Sequence, residues 1–269
     1  MNTYFDLNLS PIYINEKNRL LFLIYDKIEH EDFWYLFFKD MDPKSYTIYI
    51  HYKHDIPLNY FESYKLKHCI ETKYENETIP LAYNVLFREA FKDKDNYKFI
   101  NVSNTCIPLK SFASIYKKLV SDDKGYFNVC PQSQCFPNCN SLRNVIDEAY
   151  ISKSHNWFIL NRTLVENLCM DDAFIKKHYT IYAPAEYYYY TFIKILHLEE
   201  ETIVTHNVAE ATTFTNWEGM NYKYPSTRGL KNYRVITEEE LLYLFQSPSL
   251  FGRKFYSGCI DLLSYKKYI

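Results

Sequence analysis

Strand-length apolar runs alternate with helically spaced segments through the N-terminal half, and this constrains the fold more than any other feature. Leu20-Leu-Phe-Leu-Ile-Tyr25 is apolar throughout, which suits a strand covered on both faces. Tyr46-Thr-Ile-Tyr-Ile-His-Tyr52 and Lys98-Phe-Ile-Asn-Val-Ser103, rich in β-branched and aromatic residues, predict two further strands. Between them, residues 30–40 carry Phe33, Leu36 and Phe37 at helical intervals and stop before Pro43. Residues 79–91 repeat the pattern with Leu81, Val85, Leu86 and Phe91. Pro108 marks a turn before a helix over 111–120. A largely parallel α/β sheet follows from this order. Ligands of such sheets gather at the carboxyl ends of the strands.

Downstream, residues 130–139 are irregular, with Pro131 and Pro137. Residues 157–160 predict a strand and 162–169 a helix. Residues 185–196 predict a helix despite their tyrosines, and 203–205 a short extended piece. A last helix spans 238–245, with Thr237 as its N-cap. No linker or repeat interrupts the chain, so one compact domain over 1–269 is expected.

Composition narrows the chemistry. Of 269 residues only 5 are glycine, and they are Gly125, Gly219, Gly229, Gly252 and Gly258. Dinucleotide fingerprints and P-loops close backbone N–H groups on phosphate through clustered glycines, so neither can be built here. Lys and Arg number 31 against 33 Asp and Glu, a net charge of −2, which gives no basic field for nucleic acid. No apolar run approaches the roughly 20 residues of a membrane span, and the first residues lack the basic and apolar regions of a signal peptide. The 7 cysteines are an odd number, best read as reduced thiols in a cytosolic compartment. Cys130, Cys135 and Cys139 lack a fourth ligand for structural zinc, and Cys106 has no histidine signal that would make it a nucleophile. Of the sequons at Asn8, Asn76, Asn101 and Asn161, the last two fall in predicted buried strands.

Several blocks recur in a fixed order. They are Arg19-Leu-Leu-Phe-Leu-Ile-Tyr25 with Tyr46-Thr-Ile-Tyr-Ile-His51, then Tyr97-Lys-Phe-Ile-Asn-Val-Ser-Asn-Thr-Cys-Ile-Pro-Leu-Lys-Ser-Phe112, then Ser152-Lys-Ser-His-Asn-Trp-Phe-Ile-Leu-Asn-Arg162. Tyr182-Ala-Pro-Ala-Glu-Tyr187, Phe214-Thr-Asn-Trp217, Tyr224-Pro225 and Leu250-Phe-Gly-Arg-Lys-Phe255 follow. In this order they resemble the core-2/I-branching enzyme family, glycosyltransferase family 14, with its plant and xylosyltransferase-like relatives, over about 19–263. The resemblance implies a GT-A-like α/β fold, with a mostly parallel central sheet flanked by helices. It also implies an inverting transfer from a UDP-sugar, with GlcNAc or xylose favoured, to a hydroxyl of a glycan or glycoconjugate. No divalent metal and no other cofactor is expected.

Residue by residue, the resemblance assigns Glu186 as the catalytic base, in apolar surroundings (Pro184, Tyr187, Tyr188) that raise a carboxylate pKa. Lys254 and Lys231 are assigned to the donor diphosphate, with Arg234, Arg253 and Arg228 near enough in sequence to assist. Lys231 stands where the family has arginine and lacks its bidentate fork. Trp217 is assigned to the acceptor, since sugar C–H faces pack on aromatic rings, and Lys153 and Ser154 are candidates beside it. On the nucleotide side Lys53 occupies the place of a family aspartate, with Asp55 two residues on. Ala185 replaces another family aspartate and Gly219 a second acceptor aromatic. These departures support an alternative, a catalytically decayed glycan-binding or scaffolding protein on the same fold. Trp157 reads as core, and Tyr187 to Tyr190 as a half-buried helix face. Asp40-Met-Asp42 and Asp93-Lys-Asp95 match the string of metal-dependent transferases, but both precede strands and so lie at the wrong end of the sheet. The expected partners are donor and acceptor, without nucleic acid or membrane span. The expected location is cytoplasmic, the host cytoplasm for a viral protein, rather than the Golgi lumen. Gly219, Gly229, Gly252 and Gly258 cluster where the backbone is expected to approach donor and acceptor.

Overall fold

A computed structural model describes residues 17–135, 138–216 and 232–269. Among the strands of the main sheet, β1 (Lys17–Ile24), β2 (Tyr46–Tyr52) and β3 (Asn96–Ser103) run parallel, with β1 in the middle. The short β4 (Ile107–Pro108) leaves this sheet, and β5 (Gly125–Asn128), β6 (Ile159–Asn161) and β7 (Thr202–Thr205) complete it in the order β2-β1-β3-β6-β5-β7. Strand β6 is antiparallel to both of its neighbours, and β5 pairs parallel with β7. A second sheet joins β4, β9 (Phe251–Arg253) and β8 (Thr213–Thr215) in that order. Pro108, expected in a turn, pairs instead with Phe251 across β4 and β9.

The helices cover both faces of the main sheet: α1 (Glu31–Phe38), α2 (Thr78–Phe91), α3 (Phe112–Leu119), α4 (Arg162–Leu168), α5 (Ala173–His178) and α6 (Ala185–Ile195). Helices α7 (Glu238–Gln246) and α8 (Leu262–Lys266) accompany the small sheet. The unbroken apolar run of β1 has the expected consequence. Leu20, Phe22 and Ile24 enter one core with Trp34 and Phe37, while Leu21 enters the other with Leu86, Phe87 and Tyr189. Each fully buried Leu or Phe contributes roughly 1.5–3 kcal/mol, so both faces of this strand are anchored. This is the mostly parallel, helix-flanked α/β architecture of a GT-A-like fold.

Helix α6 forms although four consecutive tyrosines are poor helix formers, because burial overrides propensity. Tyr187, Tyr188 and Tyr189 are buried. Their hydroxyls donate to Cys135 O at 3.0 Å, Leu168 O at 2.8 Å and Asn84 Oδ1 at 2.9 Å. The rings fill core while the phenols find acceptors, so this run is packing rather than a sugar platform. Gly125 is required by close approach: a Cβ there would lie 2.9 Å from Ile159 O and 2.6 Å from Leu164 Cδ1. Gly252 packs against Leu109 and Phe255, and Gly258 takes φ +82° in a turn. These two glycines therefore serve packing and turning, not ligand approach; Gly219 and Gly229 lie outside the described residues.

At the amino end of the sheet, buried Arg19 bonds Asp93 at 3.3 Å and Lys17 bonds it at 3.2 Å. The Asp93-Lys-Asp95 turn is thus an ion-paired strand entrance, and Asp40-Met-Asp42 occupies the equivalent turn before β2. Asn101 and Asn161, in β3 and β6, are buried. All seven cysteines are free thiols, and in the irregular 130–139 stretch Cys139 Sγ donates to Cys135 O.

Candidate active site

At the carboxyl edge of β1 and β3, a cleft of about 240 Å³ opens between α6, the start of β6 and the end of β9. Leu23 and Ser103 form its floor, and Ala183, Pro184 and Glu186 come from the start of α6. Backbone hydrogen bonds hold this start. Ala183, at φ +49°, donates its N–H to Glu75 O at 3.3 Å, and Glu186 N–H donates to Ala183 O at 2.9 Å. Ser154 N–H donates to Glu186 O at 2.7 Å, tying the helix to the loop before β6. Glu186 is therefore fixed in backbone before any ligand arrives.

Its carboxylate is three-quarters covered and lies 3.3 Å from Lys153 Nζ. Burial raises the Glu186 pKa above the usual carboxylate range, and Lys153 opposes that shift without cancelling it. Nearby Glu75 raises it further, while Arg253 lowers it. A carboxyl poised in this way can accept a proton from a hydroxyl near neutral pH.

Two cations complete the cleft. Arg253 ends β9 and stacks its guanidinium 3.7 Å from the centre of the Trp157 ring, and Lys254 follows it. Burial depresses the pKa of both, and the charge of Arg253 lowers that of Lys254 further. Arg253 Nε is buried without a hydrogen-bond partner. Among the described residues neither side chain has an ion-pair partner. Adjacent, partly desolvated cations left uncompensated are expensive, and an anionic ligand would relieve that cost.

The structure thus brings Glu186, Lys153, Arg253 and Lys254 together and places Arg234, Lys53 and Asp55 away from the cleft lining. Arg234 is exposed and stacks 4.5 Å from the Tyr256 ring, away from the cleft lining. Lys53 and Asp55 follow the carboxyl end of β2. Lys53 Nζ lies 5.3 Å from the Tyr25 ring, and Asp55 is paired with Lys65 at 2.7 Å. Ser154 is 1% exposed, so its contribution is the backbone bond to Glu186 rather than contact with an acceptor. Trp217, Lys231 and Arg228 lie outside the described residues. The alanine at 185 is 2% exposed and fits an apolar position at the helix start.

Trp157 has two contacts. The expected core role holds in part: the ring packs, partly buried, against the core around Phe22 and Trp34, and it also carries Arg253 in the cleft. Apolar spacing cannot separate a core tryptophan from a cation-stacking one, and the partner comes from a strand 96 positions away. Tyr74, Glu75, Tyr83 and Asn156 also line the cleft and went unnoticed, because no motif connects them. Among the described residues no three His, Cys, Asp or Glu side chains converge to hold a metal, and no helix is long and apolar enough to cross a membrane.

Comparison with known proteins bears on this arrangement. The family model described as Branch: Core-2/I-Branching enzyme matches residues 20–244, a stretch that includes most of β1, Glu186 and the strands β4 and β8 of the small sheet. A rice protein (Oryza sativa subsp. japonica) named Glycosyltransferase BC10 is 20% identical over 165 residues, 59% of this chain and 41% of its own length. The chain thus matches less than half of that relative. The family match, by contrast, extends over well more than half of this chain, and the protein belongs to the Core-2/I-Branching enzyme family.

Proposed function

We propose that this protein is a glycosyltransferase that moves a sugar, GlcNAc or xylose, from a UDP-sugar to a hydroxyl of a glycan, with inversion and without a divalent metal. One observation carries the reading. A half-buried carboxylate of raised pKa shares a small cleft with two cations that have no ion-pair partner among the described residues. Family membership and the name of the rice relative agree with it.

In the proposed reaction the acceptor O–H gives its proton to Glu186 as its oxygen attacks the anomeric carbon. The bond from that carbon to the diphosphate oxygen breaks, and UDP leaves with the electron pair. Arg253 and Lys254 take up the charge that develops on the leaving oxygens, a task that fixed positive groups perform well in a water-poor site. Lys153 keeps Glu186 ionised until the acceptor arrives. The metal-independent reading is supported by where the aspartates sit. Asp93 is engaged by Lys17 and Arg19 at the amino end of the sheet, whereas the cleft supplies its positive charge from side chains.

The test is Glu186→Gln, assayed for transfer from a panel of UDP-sugars, with UDP binding followed by thermal shift. Loss of transfer by a factor of about 10² or more, with UDP binding retained, is expected for a missing general base. Near-normal transfer by the variant would overturn the assignment. Wild-type activity should withstand EDTA; loss on chelation and recovery with Mn²⁺ would overturn the metal-free mechanism. A protein that binds glycan but neither UDP nor any UDP-sugar would instead be a binding module on this fold.

A further inference from the structure

We infer that Tyr74, Glu75 and Tyr182 form a carbohydrate subsite at the mouth of the cleft, on which the neutral pyranose bearing the acceptor hydroxyl is seated. The inference rests on the transferase reading above and specifies the acceptor side of the same site.

Exposure singles these residues out. Tyr74 is 82% exposed and Tyr182 55%, whereas Tyr83 in the same cleft is buried. Tyr74 and Glu75 line the cleft beside Glu186, and Tyr182 directly precedes Ala183, which lines it as well. Two bare aromatic side chains bordering a polar cleft are an unusual use of surface.

The backbone holds them rigidly. Glu75 at φ +53° and Ala183 at φ +49° both adopt the left-handed conformation that non-glycine residues avoid. The Ala183 N–H to Glu75 O bond joins these two loop tips. Strained conformations of this kind persist where the surrounding structure enforces them, commonly at ligand sites. Here the enforced geometry fixes the positions of the two residues that carry the exposed rings.

Chemistry selects the ligand. Tyrosine faces take the C–H faces of a sugar ring, and their hydroxyls and the Glu75 carboxylate bond its hydroxyls. Glu75 makes no ion pair among the described residues, so its oxygens are not spent on a cation. Hydrogen bonds to the Glu75 carboxylate, and then its negative charge, push the neighbouring phenols up, Tyr182 to about 12, which keeps both protonated through the physiological range. The same charge repels phosphate. The rim therefore suits a neutral sugar, while Arg253 and Lys254 suit the diphosphate.

The experiment is saturation-transfer NMR on the full chain with the methyl β-glycosides of galactose, N-acetylglucosamine, N-acetylgalactosamine and xylose. It compares wild type with Tyr74→Ala, Tyr182→Ala, Glu75→Gln and Tyr74→Phe, each checked by thermal melting; the exposed positions of both tyrosines leave the core intact. At least one glycoside should bind wild type. Binding should weaken roughly tenfold in either alanine variant, as expected for loss of a stacked ring with its hydrogen bond, and survive in Tyr74→Phe. Absence of binding to wild type, or binding unchanged in both alanine variants, would overturn the subsite. UDP binding by wild type is read separately. UDP binding without glycoside binding would overturn the subsite and leave the transferase reading standing. Tyrosine-dependent glycoside binding without UDP binding would uphold the subsite and overturn that reading.

Discussion

Replacing Lys153 with methionine should move the pH dependence of transfer, and the size of the move follows from the geometry. Lys153 Nζ stands 3.3 Å from Glu186 Oε2, with the two side chains 23% and 26% exposed. At an effective dielectric near 20, two unit charges at this distance attract by about 5 kcal/mol. Partial exposure and counter-ions reduce the net effect, and an opposite charge this close typically holds a carboxylate pKa down by about 1–2 units. Methionine keeps the aliphatic stem and removes the charge. Burial and Glu75 then act on Glu186 with Arg253 to oppose them, so its pKa rises.

A base works only when deprotonated, so activity falls as pH drops through its pKa. The acidic limb of kcat/KM, which reports the free enzyme, should therefore shift upward in Lys153→Met. The loss should be large at pH 6 and small at pH 9, and Lys153→Arg should restore the wild-type limb. An equal loss at every pH with an unmoved limb would refute the argument and return Lys153 to a role in acceptor contact alone. A limb displaced to lower pH would refute it more directly.

The remaining predictions concern the cations and the buried imidazoles. Removing either Arg253 or Lys254 with alanine should lower kcat by about 10²–10³, as for other fixed groups that stabilise a developing anion, in initial-rate assays with a saturating UDP-sugar. Arg253→Lys should recover less than Lys254→Arg, because it forfeits the stack on Trp157. Acid should destabilise the fold through His51, whose pKa burial lowers from 6.5 to about 4. Its Nε2 accepts the Ile70 N–H at 3.0 Å, so protonation there breaks a buried bond. A depressed histidine stabilises above its unfolded pKa and loses that contribution as pH falls. Urea unfolding should thus show a loss of about 2–3 kcal/mol between pH 6.5 and 4, with a shallower slope in His51→Gln. An unchanged slope would locate the acid sensitivity elsewhere.

What could be read in the chain before the structure follows the length of the signal. Strand β2 at Tyr46–Tyr52 and helix α7 with Thr237 as its N-cap are legible at or near their observed bounds, since seven or more residues of pattern outweigh context. Strands β8 and β9, of 3 residues each, are too short to carry periodicity and exist because tertiary pairing recruits them. The small sheet they build was therefore invisible, although it delivers Arg253 to the site. Glu186 owed its assignment to the resemblance, because an acidic residue in a first helical turn is ordinary by itself. Tyr74 and Glu75 gave no sign at all: nothing in the residue types announces a left-handed glutamate.

The shortage of glycine gains a physical meaning from the cleft. A backbone cradle binds phosphate through N–H groups and needs residues without Cβ so that the chain can close in. Here the candidate phosphate ligands are long side chains, and the demand on the scaffold is to hold partly buried positive charges without pairing them to the carboxylates of Glu75 and Glu186 in the same cleft. The fold meets it by placing the acidic turns with Asp93 at one end of the main sheet, where Lys17 and buried Arg19 engage them, and the cations at the other end. The Trp157 ring covers one face of Arg253, giving it a polarisable contact without neutralising it. The positive charge thus stays available for an anion that comes and goes. Of the two glycines in the described C-terminal part, Gly252 precedes Arg253 and packs on Leu109 and Phe255. It acts by letting β9 sit close enough to its neighbours to carry the next two residues into the cleft.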